Sequence, residues 1–414
     1  MALKSGNSKI IVGYDLGEQN CRISYCSAQS NGVETAPSIA GTQVYNIPTV
    51  LCKKYQVNQW LYGNEAIRAA EADEGILVDD LVQLALDGEP VQIDGESYYP
   101  EALLTLFVKK SLGLLGAVGP LERIGAFLMT SEKMDAAMVE LLQKVVEGVE
   151  LKARYLYFQS YEESFYQYMI HQPEEMSAYQ ALLLDRRGAK LTVLRLRTNA
   201  KTTPKTVLVS TETYQLNEMQ LDSSLREVSE QICGNDRVST IYLVGDGFDQ
   251  EQLQETLQYL CRGRRVFLGS NLYSQGACLG MMERLKPSAA GRKYALLGSG
   301  KLKANIGMKV RKHTEETYRA ILDAGCNWYE AEADCECYLQ NENKCELVIT
   351  PLNEKQGKIA QMTLEGMPDG IARIYIHLKM ISEEILLITV EDLGFGEFRT
   401  ATGQVWKEEV RLYD

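Results

Sequence analysis

The chain opens with an apolar strand that runs directly into an acidic turn, and this opening constrains the fold more than any other stretch. The strand begins at Ile10 and leads into Asp15 and Gly17, and a second, alternating strand leaves the turn toward Tyr25. Glycine at position 17 permits a positive φ, and the amides of such a turn can form a nest for phosphate oxygens. Asp15, at the end of a buried strand, is placed to reach a magnesium ion through water. A turn-capping aspartate is the structural alternative.

The composition limits the class of protein and its partners. A chain of 414 residues with 45% hydrophobic residues is long enough for two or three domains with substantial cores. Its net charge of −13 argues against nucleic acid or an anionic membrane as the main partner. No apolar run approaches the roughly 20 residues of a membrane span, and the first residues lack a secretory apolar segment. These features predict a cytoplasmic protein without a membrane or nucleic-acid partner.

Ten cysteines are dispersed along the chain, which favours reduced thiols over a disulfide framework. The one local group consists of Cys326, Cys335, Cys337 and Cys345. Zinc sites usually contain ligand pairs two to four residues apart, whereas the spacing here is irregular. Structural thiols are the favoured interpretation of this group, and a metal site is the alternative.

Strand–turn–strand units followed by alternating strands and helices begin twice, near residues 10 and 180. This repetition predicts two mixed α/β halves that face each other across a cleft, within a domain spanning residues 1–285. Residues 286–303 are rich in glycine and serine and are expected to be a linker. Residues 304–414 contain short strands separated by glycine turns, which predicts an all-β sandwich.

Several motifs occur in the order that is found in the 70-kDa heat-shock chaperones. The segments that resemble that family are Val12–Gly17 with Asn20, Ile47–Val50 with Tyr62–Ala66, Tyr99–Leu103, Leu243–Gly247, Tyr273–Gly280, Ile321–Tyr338 and Gly366–Asp392. None of these segments is specific alone, but their order and spacing are collinear across almost the whole chain.

The resemblance implies an actin-like α/β fold, built from two ribonuclease-H-like halves and followed by a peptide-binding β-domain. It also implies ATP or ADP with magnesium as cofactor, and a peptide or protein client at the β-domain. Asp15 and Asp185 take the catalytic positions, and Asp15 would hold magnesium through water. The nucleotide-binding positions would be Gly17, Glu18, Gln19, Asn20, Gly188, Lys190, Gly245, Asp246 and Gly247.

Three departures from the family pattern affect the chemistry. Glu18 and Gln19 stand where the family has hydroxyl residues, and Glu18 would place a negative charge near the phosphates. In the second phosphate loop, which is Asp185–Lys190 here, Lys190 replaces a threonine. Ser160 stands where the family has a catalytic glutamate. Losing a general acid or base typically costs roughly 10²–10⁴-fold in rate, so hydrolysis is expected to be slow or absent.

Two family segments are also reduced. The stretch between Lys190 and Gly245 is far shorter than in the family, so the subdomain above the adenine is expected to be reduced or lost. The sequence stops directly after the last β pattern, so a helical lid is expected to be absent. Lys190, Arg186 and Arg187 could each contact a phosphate, or they could decorate a solvated turn.

Three functions therefore remain open. The first is a divergent chaperone-like protein with a degenerate nucleotide site and little or no ATP hydrolysis, which binds a partner through its β-domain. The second is an active ATPase or small-molecule kinase with Asp185 as base. The third is a structural or assembly protein whose cleft binds nothing.

Overall fold

The structure is a computed structural model, and it describes residues 9–27, 32–234, 237–245, 247–248, 252–312, 315–340, 343–352, 357–367 and 370–413. The chain divides into two compact units, Met1–Gly298 and Ser299–Asp414. The first unit is mixed α/β and the second consists mainly of strands.

In its described residues, the first half of the first unit contains one large sheet, two small ones and five α-helices. Its strands are β1 (Ile10–Leu16), β2 (Asn20–Cys26), β3 (Glu34–Thr35), β4 (Ile47–Pro48), β5 (Leu51–Lys54), β6 (Trp60–Tyr62), β7 (Gly75–Val78), β8 (Val91–Ile93), β9 (Glu96–Tyr98), β10 (Ile124–Ser131) and β11 (Tyr155–Ser160). Its helices are α1 (Gly63–Glu71), α2 (Leu81–Asp87), α3 (Pro100–Leu112), α4 (Ala136–Val149) and α5 (Tyr161–Ile170).

The second half of this unit contains the other large sheet. Its strands are β12 (Gln180–Arg187), β13 (Lys190–Asn199), β14 (Lys205–Gln215), β15 (Val238–Gly245), β16 (Arg265–Leu268) and β17 (Tyr294–Leu297). Its helices are α6 (Leu221–Cys233), α7 (Gln254–Leu260), α8 (Leu272–Leu285) and α9 (Ala289–Lys293).

The two large sheets repeat one strand order. The first runs β11-β10-β1-β2-β3, with β4 also paired to β2, and the second runs β16-β15-β12-β13-β14-β17. In each sheet an antiparallel meander of three strands is followed by two parallel strands beside its first strand. Asp15 on β1 and Asp185 on β12 therefore occupy equivalent strands.

Each large sheet is covered on both faces by helices, and one helix of each half, α5 or α8, covers the sheet of the other half. Helix α5 packs its Phe165 and Met169 on β12, β13 and β14 of the second sheet. Helix α8 packs Ala277 and Met281 on Ala126 and Leu128 of the first sheet. The opposite face of the first sheet contacts α3, which packs in turn on α4, and the opposite face of the second sheet is covered by α6 and α7.

Local sequence chemistry explains most helix starts, with one correction. Pro100 occupies the first position of α3, where its missing N–H has no helical partner to lose. The sequence suggests that Ser131 caps the next helix, but β10 continues through Ser131. The cap of α4 is Asp135, whose carboxylate accepts a hydrogen bond from the Met138 amide at 2.9 Å.

Two other segments are more regular than their sequences suggest. Asp185, Arg186 and Arg187 are expected in a turn, but they lie in β12, and the turn is confined to Gly188 and Ala189. Part of the expected linker at residues 286–303 forms α9 and β17 within the first unit, and β17 pairs in parallel with β14.

The second unit consists of two four-stranded antiparallel sheets. Its strands are β18 (Ala304–Lys312), β19 (Glu315–Leu322), β20 (Glu332–Gln340), β21 (Lys344–Pro351), β22 (Lys358–Thr363), β23 (Ile371–Met380), β24 (Ile385–Asp392) and β25 (Val405–Arg411). The sheets run β19-β18-β21-β22 and β20-β23-β24-β25. On β23, buried Ile374, Ile376 and Leu378 alternate with more exposed residues, so one face of the strand forms core.

Among the described residues, no helix is long and apolar enough to cross a membrane. All ten cysteines are free thiols. Within the described part of the chain, no group of three or more His, Cys, Asp or Glu side chains is arranged to hold a metal ion, and this includes the group at Cys326–Cys345.

Candidate functional site

Asp15 lies at the end of β1 and is fully buried. Its Oδ1 accepts a hydrogen bond from the Tyr161 hydroxyl at 2.6 Å, and its Oδ2 pairs with Nη1 of Arg22 at 3.2 Å. Arg22 is directly opposite Asp15 in the β1–β2 ladder, and its Nε donates to Oδ1 of Asn46 at 2.9 Å. Burial raises the pKa of Asp15, although Arg22 and Tyr161 oppose the shift. Both carboxylate oxygens are therefore bound by side chains of the protein itself.

Asp185 has a similar position on β12 and is almost fully buried. Its Oδ2 accepts hydrogen bonds from Nη2 of Arg187 at 3.0 Å and from the Tyr273 hydroxyl at 3.1 Å. Its Oδ1 is buried and has no hydrogen-bond partner among the described residues. One oxygen of Asp185 is thus hydrogen-bonded by the chain, and the other lies beside Gly245, where a Cβ would be 2.9 Å from it.

The two tyrosines that donate to these carboxylates stack on each other. The rings of Tyr161 and Tyr273 have centroids 3.7 Å apart and are inclined by 9°. Tyr161 begins α5 and Tyr273 lies in the first turn of α8. These helices follow β11 and β16, which occupy equivalent places at the ends of the two strand orders. We call the chain of contacts Asp15–Tyr161–Tyr273–Asp185 the tyrosine bridge. Burial raises the pKa of both phenols well above 10, so both remain protonated donors.

An ion network lies beside the tyrosine bridge and also joins the two halves. Arg187 of β12 lies 5.6 Å from the centroid of the Tyr161 ring and donates from Nη1 to Oε2 of Glu132 at 2.9 Å. Glu132, which directly follows β10, also pairs with Lys190 at 2.7 Å. Burial by itself would raise the pKa of Glu132, but Arg187 and Lys190 outweigh it, and the pKa lies below its usual value.

The space left between these side chains has a volume of about 20 Å³. It is lined by Gly17, Gln19, Asn20, Arg22, Asp185, Arg187, Val244, Gly245 and Tyr273. Such a volume is close to that of a single water, whereas small-molecule sites usually occupy roughly 300–1,000 Å³. The cavity that these residues line is therefore too small in this conformation for ATP or ADP with magnesium.

The first predicted phosphate loop is a tight turn whose carbonyls are already bound. Thr49 donates from Oγ1 to the Gly17 carbonyl at 2.9 Å, and the Thr49 amide donates to the Gln19 carbonyl at 2.9 Å. Glu18 is exposed and does not line the cavity. Gly17 does not have the positive φ expected from the sequence. Glycine is needed because a Cβ there would lie 2.4 Å from the Asn20 carbonyl oxygen.

The two glycine loops of the second half are held together by Arg186. Its Nε donates to the carbonyl of Gly188 at 3.0 Å, and its Nη1 donates to the carbonyl of Gly247 at 3.1 Å. Gly245 has φ of 90°, and a Cβ there would lie 2.0 Å from the Arg186 carbonyl oxygen. Asp246 is outside the described residues. Arg186 therefore hydrogen-bonds the loop that the sequence predicts to bind adenosine, and links it to the turn at Gly188.

The structure brings some of the predicted site residues together around one cavity, whereas others lie outside it. Gly17, Gln19, Asn20, Asp185 and Gly245 line the same small cavity, whereas Glu18, Gly188, Lys190 and Gly247 do not. Ser160, which stands in the position of a catalytic glutamate, caps α5 by accepting a hydrogen bond from the Glu163 amide at 3.2 Å.

Sequence reasoning did not identify Arg22, Glu132, Tyr161 and Tyr273 as residues of this site. Counting the hairpin register from the turn at Gly17 could have placed Arg22 opposite Asp15. The tyrosines gave no such signal, because Tyr161 is 146 residues from Asp15 along the chain.

Comparison with protein families matches both units. The family model described as the C-terminal part of a family of unknown function, DUF5716, matches residues 32–299, and a domain of unknown function, DUF8552, matches residues 301–412. The chain therefore belongs to the DUF5716 family. The boundary between the two matches agrees with the division between the units at Gly298. No curated protein matches the chain.

Proposed function

We propose that this chain is a chaperone-like binding protein that does not hydrolyse nucleotide. In this proposal the first unit is an actin-like domain with a closed cleft, and the second unit binds a peptide or protein partner. The observation that carries the proposal is the tyrosine bridge. Its two stacked rings lie between Asp15 and Asp185, and they leave a space of only about 20 Å³.

The repeated strand order of the two large sheets supports an actin-like assignment of the first unit. A duplicated α/β architecture with equivalent acidic strands is what the resemblance to the 70-kDa heat-shock chaperones implies. An ATPase of this kind needs both the fold and an acidic side chain that is available to a metal ion. Asp15 already has one side-chain partner on each oxygen, Tyr161 on Oδ1 and Arg22 on Oδ2, so a hydrated metal ion would have to compete with a cation and a hydroxyl donor.

An exposed aromatic surface supports a binding role for the second unit. Tyr338 is 63% exposed and Phe398 is 90% exposed, and Phe395 lies between them with ring centroids 5.9 Å from both. The loop that carries both phenylalanines is fixed by buried Asp392, which accepts hydrogen bonds from its backbone. Rigidly presented aromatic side chains lose little entropy on binding and commonly anchor interfaces.

The nucleotide part of the proposal is tested by calorimetric titration of the full chain with ATP and ADP, with and without magnesium, and by a turnover assay. We expect neither binding nor turnover, because the cleft has no room for a nucleotide. The Asp15→Asn and Asp185→Asn variants serve as controls, since an active ATPase or kinase would lose its activity in both. Turnover by the wild-type chain that these variants abolish would overturn the proposal.

The partner part is tested with fluorescent apolar peptides and anisotropy of the full chain. Phe398→Ser should weaken peptide binding by roughly tenfold or more, as expected for a truncated aromatic anchor. Met219→Ser is the matched control, because Met219 is 98% exposed and lies in the first unit. Equal loss in both variants would contradict the assignment of this surface.

A purely structural protein is the second candidate, and the filled cleft favours it as well. The two candidates differ only in whether the second unit binds a peptide or protein partner. If no peptide binds the wild-type chain and no nucleotide binds either, the structural candidate replaces the proposed one.

A further inference from the structure

A second, larger cavity lies in the first unit and shares no lining residue with the closed cleft. Its volume is about 360 Å³, which is within the range of sites for small organic molecules. It is bounded by the end of α5 and the turn after it, by β13 and β14, and by the segment that forms α9 and β17. The apolar residues that line it include Met169, Ile170, Leu196, Val207, Ala290 and Tyr294.

The floor of this cavity is fixed by the core of the unit. Met169, Leu196 and Val207 are each almost fully buried, and they belong to the cluster that joins α5 to the second sheet. Their positions are therefore set by packing that does not depend on a ligand. Gln172, Ser177 and Thr198 add hydrogen-bonding side chains to the wall. A preformed apolar floor with a few polar groups is typical of a binding pocket.

The charges around the cavity favour an anion. Lys293 and Lys205 place their Nζ atoms 5.5 and 5.9 Å from the centroid of the Tyr294 ring, which forms part of the wall. Glu174 is the only acidic residue among the described residues that line the cavity, and it pairs with Lys293. Lys205 does not itself line the cavity, and its charge helps to lower the pKa of Glu174. These three groups, two ammoniums and one carboxylate, carry a net positive charge at the edge of the cavity.

From this combination we propose that the cavity binds a small organic anion with an apolar body, such as a medium-chain carboxylate. The apolar body lies against Met169, Leu196 and Val207, and the carboxylate is held by Lys205 and Lys293. Burial of the apolar body supplies most of the affinity, while the two lysines select the charge of the head group.

The head-group preference is the first test. The full chain is titrated calorimetrically with decanoate and with decylammonium, which have the same chain length and opposite charges. We expect decanoate to bind with one site per chain and decylammonium to bind roughly tenfold more weakly or not at all. Absence of decanoate binding, or equal binding of the two probes, would overturn the proposal.

The location is tested with substitutions in the wall and at the charged edge. Ala290→Trp should fill the cavity and abolish decanoate binding. Lys205→Met should weaken the binding of decanoate roughly tenfold, and it should not weaken the binding of decylammonium. Lys152→Met is the matched control, because it removes the same charge from an exposed site outside the cavity. Thermal unfolding of each variant verifies folding, and decanoate affinity unchanged by both Ala290→Trp and Lys205→Met would also overturn the proposal.

Discussion

Asp15 and Arg22 form a buried ion pair across the first hairpin, and this pair decides how the site responds to pH. Asp15 is fully buried, so its ionised form depends on Arg22 and Tyr161 for compensation. Because burial raises its pKa, the folded chain binds a proton at Asp15 more tightly than the unfolded chain does. This contribution to stability is present at low pH and is lost as the pH rises through the folded pKa.

Arg22→Met should therefore destabilise the chain in a pH-dependent manner. The cost should be larger at pH 7, where ionisation of Asp15 is favoured more strongly and the carboxylate would lack its cation; burial of an unpaired carboxylate costs up to about 3–5 kcal/mol in the free energy of unfolding. Near pH 5 the cost should be smaller, because the variant raises the pKa of Asp15 further and the carboxyl takes up a proton. Urea unfolding of the wild type and the variant at pH 5 and at pH 7 measures the difference in their free energies of unfolding.

Lys144→Met is the control for this experiment, because Lys144 forms ion pairs with Glu101 and Glu140 at an exposed site. It should cost less than about 1 kcal/mol at both pH values. An equal cost of Arg22→Met at pH 5 and pH 7 would contradict the prediction, because it would mean that loss of Arg22 does not change proton binding by Asp15 in this range.

At the residue scale, the sequence predicted where the acidic residues lie but not what they contact. Asp15 at a strand end follows from local patterning alone. Its partner Tyr161 comes from a distant helix, and the same holds for Tyr273 and Asp185, which are 88 residues apart. Contacts between distant elements depend on the packing of helices on sheets, which local patterns do not encode.

At the element scale, the close approach of α5 and α8 depends on glycine. A Cβ on Gly276 of α8 would lie 2.0 Å from the Ser164 carbonyl oxygen of α5. On the other side of α8, a Cβ on Gly13 of β1 would lie 2.3 Å from the Cys278 amide nitrogen. Both neighbours are backbone atoms, which cannot move away as a side chain can. Tyr161 and Tyr273 lie at the start of these helices, so this spacing also positions their rings.

Gly276→Ala should destabilise the chain by about 1–3 kcal/mol through overpacking, although alanine is the better helix former. Gly116→Ala is the matched control, since a Cβ at Gly116 would meet no described atom within 4 Å and the φ of this residue is not positive. It should stabilise the chain by about 0.4–1 kcal/mol. Chemical denaturation measures the change in the free energy of unfolding for both variants, which should have opposite signs. Stabilisation by Gly276→Ala would contradict the proposed role of the close contact.

The sequence predicted strands and long helices better than their ends. The apolar run from Ile10 and the alternating pattern toward Tyr25 identified β1 and β2, because these patterns are local. The extension of β10 to Ser131 and the pairing of β17 with β14 were missed, since both depend on a neighbouring strand that supplies hydrogen bonds.

At the scale of the whole molecule, the internal repetition of the sequence predicted two α/β halves, and the repeated strand order has this form. The actin-like assignment remains a prediction. The closed cleft could not be predicted, because it results from side chains of both halves that fill one small volume. The second unit contains its own core, with Ile374, Ile376 and Leu378 on one strand and Leu386, Ile388 and Val390 on the next.

We expect the fragment Ser299–Asp414 to fold by itself and to unfold cooperatively. Ile376→Ala in this fragment should cost about 2–5 kcal/mol, because Ile376 is fully buried. Val405→Ala should change stability by less than about 0.5 kcal/mol, because Val405 is 51% exposed. Circular dichroism during urea unfolding measures both, and a fragment without a cooperative transition would contradict the expectation.

The exchange of α5 and α8 between the halves has a consequence for synthesis on the ribosome. The first sheet is complete once β11 has been made, but Ala126 and Leu128 pack on Ala277 and Met281 of α8, which ends at Leu285. Ribosomes add roughly 5–20 residues per second, so several seconds pass between the synthesis of β11 and that of α8. During this time the apolar face is not yet packed against α8. The nascent first half therefore exposes an incomplete core until nearly the whole first unit has emerged.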